Sequence, residues 1–88
     1  MDEALRLQNI KPRPGGPIKD LEDISTLLEL AGMFLNDHFP GGVFTIEQLV
    51  AEAATVLNEG QTLDVADALV VITGMKQFEK VAGGWRWR

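Results

Sequence analysis

Three amphipathic helices closed by a C-terminal β-hairpin, a mainly α (α+β) fold, are what this chain of 88 residues predicts. Three observations predict it. Apolar residues recur at spacings of three and four from Leu21 to Ile72. Turn residues interrupt that rhythm at Phe39-Pro40-Gly41-Gly42 and at Asn58-Glu59-Gly60-Gln61. After Gln77 the period changes to two, with Gly83-Gly84 set between β-forming residues.

Residues 1–19 form a separate arm. Leu5, Leu7 and Ile10 do not make a clean helical stripe, and Pro12, Pro14 and Pro17 exclude the following segment from any helix interior, because each removes a donor and restricts its neighbours. The plain reading is a flexible arm; the sharper one is a tether that docks on a partner. The domain proper spans residues 20–88.

The first helix is expected over Asp20–Asp37. Leu21, Ile24, Leu27, Leu28, Ala31, Phe34 and Leu35 give one apolar stripe, and Leu30 and Met33 widen it, so more than one side could be buried. Asp20, Glu22 and Asp23 crowd the first turn, where carboxylates complement the helix dipole. Val43-Phe44 reads as a short extended stub. Thr45 then caps a second helix, with Gln48 completing a capping box. That helix runs to about Leu57 and turns Ile46, Leu49, Val50, Ala53, Val56 and Leu57 inward. Thr62 offers the N-cap of a third helix, which carries Leu63, Ala66, Leu69, Val70 and Ile72 and stops at Gly74. Phe78–Val81 and Trp85–Arg88 flank the hairpin turn, with Trp85 and Trp87 on one face and Arg86 and Arg88 on the other. Helix, stub, helix, turn, helix, hairpin is the order of a winged helix-turn-helix.

Composition narrows the function. There is no cysteine, which excludes disulfides and thiolate metal sites. The proportions, 45% hydrophobic and 24% charged, are those of an ordinary globular protein, and no apolar run approaches the length that spans a bilayer. Asp2 and Glu3 with no long apolar core after them do not read as a signal peptide, so a cytoplasmic setting is expected.

Charge is distributed unevenly. Between Asp20 and Met75 there is no lysine or arginine, yet ten of the thirteen carboxylates lie there. The net charge of −5 opposes generic nucleic-acid or membrane binding. In DNA-binding versions of this fold the start of the last helix enters the major groove; here that half carries Asp64 and Asp67, which phosphate repels. Both are candidates for contact with a protein instead. The best nucleic-acid candidates are Lys76, Lys80, Arg86 and Arg88, interleaved with Phe78, Trp85 and Trp87, where cations could hold phosphate and rings could stack on bases. Against stacking, a domain this small needs both tryptophans in its core.

Catalysis and cofactors find no support. His38 is the only histidine, set at a helix end where it would cap or face water, so no metal site is expected. Ser25 is the only serine and has no histidine near it in the expected layout. The paired glycines follow no phosphate-loop pattern.

The span Leu27–Arg88 also resembles the small winged-helix domains of the HARE type, a group that includes the N-terminal domain of bacterial RNA polymerase delta subunits. The matching features are an acidic first helix, Val43-Phe44-Thr45-Ile46-Glu47-Gln48-Leu49 opening the second, then Phe78 starting the wing and Trp85-Arg86-Trp87 closing it. The proline-rich arm is not part of that pattern. The resemblance implies an adaptor to nucleic-acid machinery that in some members works through protein contacts. The leading expectation is a non-enzymatic module of transcription or DNA-processing machinery with a protein partner, its arm or first helix able to support a homodimer. The alternative is a DNA-binding regulator docking through the basic wing and arm. A third option is a small acidic inhibitor or accessory subunit.

Overall fold

The computed structural model describes residues 16–88; the arm's residues 1–15 lie outside the described residues. Eight elements follow in order: β1 (Gly16–Pro17), α1 (Leu21–His38), β2 (Val43–Phe44), α2 (Ile46–Ala54), β3 (Gln61–Thr62), α3 (Val65–Thr73), β4 (Phe78–Val81) and β5 (Gly84–Trp87). The class is α+β, three helices against a small antiparallel sheet of order β2-β5-β4.

Local chemistry explains most boundaries. Asp20 is the N-cap of α1, its carboxylate accepting from the backbone N–H groups of Glu22 and Asp23. Thr45 and Gln48 form the expected capping box, with reciprocal bonds of 2.8 and 3.1 Å. The helices converge on one core, in which Ile24, Leu28 and Ala31 of α1 meet Leu49 and Ala53 of α2, Ala68 and Ile72 of α3, and Phe44, Phe78 and Trp85 of the sheet. Trp85 is buried and Trp87 packs half-buried beside it, edge-on to Phe78 at 5.2 Å. Both rings face the core, as a small domain requires.

Gly32, in the middle of α1, marks where the sheet touches that helix. A Cβ there would lie 2.5 Å from Phe78 Cζ and 2.6 Å from Trp87 Cε3. The missing side chain makes room for two aromatic rings, which outweighs the poor helix propensity of glycine.

Four sequence expectations are corrected. Leu21 and Phe34, expected in the buried stripe of α1, are 66% and 50% exposed, so the helix buries one narrow face and leaves Leu30 and Met33 outside as well. The second helix ends at Ala54, and Val56 turns outward. Thr62 does not cap α3: it lies in β3, Asp64 is the N-cap, and Leu63 is buried ahead of the helix. Finally, α3 buries Ala68 and Ile72, while Ala66, Leu69 and Val70 face outward. The α3 sequence is apolar everywhere except Asp67 and Thr73, so its periodicity selects no unique face.

Residues 16–19 lie on the domain rather than apart from it. Gly16-Pro17 runs parallel to Gln61-Thr62; the Gly16 N–H donates to Gly60 O at 2.6 Å and the Ile18 N–H to Thr62 O at 2.8 Å. Ile18 packs against the core, and Lys19 Nζ reaches Asp67 Oδ2 at 2.8 Å.

Candidate functional site

The hairpin sets two of the four candidate cations, Lys80 and Arg86, on opposite faces, and Arg88, expected beside Arg86, lines a groove with Lys80 instead. Cross-strand partners share a face, so Phe78 with Trp87 and Lys80 with Trp85 point one way, while Glu79 with Arg86 points the other, with Val43 beside them. On the outer face Arg86 donates to Glu79 Oε1 at 2.6 Å, and this guanidinium holds the Glu79 carboxyl below its ordinary value.

The remaining three cations gather. Lys76, Lys80 and Arg88 line a groove of about 610 Å³ between the C-terminal end of α3 and the hairpin, alongside Leu69, Thr73 and Trp85. Lys80 Nζ stands 5.7 Å from the Trp85 ring centroid and donates to Val81 O at 3.2 Å. Arg88 Nε donates to Phe78 O at 3.4 Å. Lys76 follows Gly74, the α3 C-cap, where helix carbonyls attract positive charge. The tryptophan edge beside these cations belongs to a ring otherwise committed to the core.

Asp64 and Asp67 have different surroundings. Asp64 is exposed at the α3 N-cap and accepts no side-chain cap bond. Asp67, one turn on, is engaged by Lys19, whose ammonium pKa is raised by that hydrogen bond and charge. Between and beyond them α3 presents Ala66, Leu69 and Val70, and Val70 lies 70% exposed across a shallow hollow from Leu21. The outward face of α3 is therefore apolar with an acidic start.

A second surface was not foreseen. Leu30, Met33 and Phe34 of α1 and Val56 after α2 surround a groove of about 480 Å³, with Asp37 and Glu52 on its rim. The sequence signal was present in Leu30 and Met33, which fall outside the buried stripe. At the end of α1, His38 Nδ1–H donates to Phe34 O at 3.0 Å and its ring lies 4.3 Å from the Phe34 ring, which makes it a helix-end cap.

Among the described residues no group of three or more His, Asp or Glu side chains is placed to hold a metal ion, and no helix is long and apolar enough to cross a membrane. Comparison with protein-family models, with curated proteins and with solved structures finds no match for this chain.

Proposed function

We propose that this domain is a winged helix-turn-helix acting as a non-enzymatic interaction module, working mainly through protein contacts. The element order and the β2-β5-β4 sheet support the fold reading, with α2–turn–α3 as the helix-turn-helix and β4–β5 as the wing. The observation that carries the functional reading is the outward face of α3. A helix that reads bases needs Arg, Lys, Asn or Gln at the groove and cations to hold phosphate. This helix offers Ala66, Leu69 and Val70 behind Asp64 and Asp67. Apolar side chains behind an acidic helix start suit a protein surface. The sequence resemblance adds transcription or DNA-processing machinery as the setting.

A DNA-binding regulator is the second reading, favoured by the grouping of Lys76, Lys80 and Arg88 beside Trp85. Arg86 contributes less to it, since it faces the other way and is paired with Glu79. Duplex binding measured across a salt series, on random and selected sequences, separates the two. Three clustered cations neutralise few phosphates, so binding should be weak, unselective and lost by physiological salt. Tight, selective binding at physiological salt that disappears with Lys76→Ala, Lys80→Ala and Arg88→Ala would reverse the order of the two readings.

A further inference from the structure

The groove between α1 and the end of α2 is built differently from a surface with scattered leucines. Its floor is Ala31 and Ala53, both buried, and its walls are Leu30, Met33, Phe34 and Val56, each between 49% and 58% exposed. Large apolar side chains gathered around one hollow mark a contact site, and methionine adapts its shape to what it meets. The hollow does not end there. Val56 is shared with a second hollow, where Leu27, Leu57 and Ile18 continue the apolar lining towards β1. Together the two follow α1 from Asp23 to Asp37, about 21 Å at helical rise, or about four turns of a facing helix.

The rim sets the charge of the occupant. Asp23, Asp37 and Glu52 border the two hollows, and residues 20–75 contain no lysine or arginine to offset them. Resting on the reading of this domain as a protein-interaction module, we infer that the α1/α2 groove binds an amphipathic helix of a partner protein. That helix is apolar on the face it inserts and rich in Lys or Arg on its flanks. A second copy of this chain is a poorer occupant, because a two-fold interface would set acidic rim against acidic rim.

The test is fluorescence anisotropy with labelled model peptides of about 14 residues, four helical turns long. One carries leucines at i, i+3, i+4 and i+7 with lysines elsewhere; a second has glutamates for the lysines; a third scrambles the first. The patterned lysine peptide alone should bind. Phe34→Lys and Val56→Lys should each weaken it about tenfold or more while melting like wild type. Leu69→Lys on α3 should leave binding unchanged. If Phe34→Lys lowers the melt, Met33→Lys, also on an exposed wall, supplies the same reading. Equal binding of the scrambled or glutamate peptide overturns the inference, as does loss with Leu69→Lys alone. A dimer in sedimentation that Phe34→Lys dissolves makes the occupant a second copy and overturns it too. These outcomes are independent of the duplex series, so the groove could fail while the protein-contact reading survives on the α3 face.

Discussion

The hairpin end and the helical end of this domain both leave apolar side chains at the surface, but they surround them with opposite charge. At the hairpin, Lys76, Lys80 and Arg88 stand around Leu69 and the edge of Trp85. Along α1 and α2, Asp37 and Glu52 stand around Leu30, Met33, Phe34 and Val56. The aromatic rings also differ in duty. Trp85 and Phe78 are buried and hold the sheet on the helices, whereas Phe34 is half exposed and holds little beyond His38. Charge thus distinguishes the two ends, and burial separates the side chains that hold the core from those left at the surface.

Truncating the hairpin's buried ring should have the largest effect. Trp85→Ala removes a core side chain and should destabilise the domain by about 3–5 kcal/mol in a thermal or denaturant melt. A normal melt combined with lost ligand binding would mean that the ring serves the surface after all. Gly32→Ala comes next, since the new methyl meets Phe78 and Trp87 with no room to retreat; overpacking of this kind costs about 1–3 kcal/mol. A melt unchanged or raised, as helix propensity alone would give, would show that the sheet can shift away from α1.

The helical end should respond much less. Phe34→Lys replaces a half-exposed ring and should change stability by no more than about 0.5 kcal/mol, the range of ordinary surface substitutions. A loss comparable to that of Trp85→Ala would make the α1/α2 face part of the core and dissolve the contrast.

The smallest effects are electrostatic. Glu79 is held below its ordinary value by Arg86, so this pair stabilises the fold above the unfolded carboxyl pKa of about 4.3 and loses that contribution as pH falls through the folded value. Lys19 is raised by Asp67, so its contribution is complete below the unfolded lysine pKa of about 10.4 and lost as pH rises through the folded value. Both pairs are solvent-exposed and salt should screen them. Melts of Arg86→Ala and Lys19→Gln against wild type, from acid to alkaline pH, should begin to close on wild type once pH falls below about 4.3 for the first and rises above about 10.4 for the second, and should meet it only beyond the folded values. A difference that persists through those limits would assign the side chains a packing role instead.

What the sequence determined by itself is what neighbours in the chain decide. The three helices, the Thr45–Gln48 capping box, the C-terminal hairpin and the core-facing tryptophans are set by spacing and by caps within a few residues. The lack of Lys and Arg on the helices was equally legible, and with it the acidic start of α3. Which faces meet was decided by the tertiary structure. The α3 sequence is apolar nearly all round, so only packing against α1 and α2 chose Ala68 and Ile72 over Leu69 and Val70. The β1–β3 pairing joins segments far apart in sequence, and Pro17 looks like a breaker until Thr62 lies beside it. Gly32 looks like a weak point in a helix until two rings from the hairpin occupy the space. Each of these depends on contacts between residues distant in the chain, which local periodicity cannot encode and close packing decides.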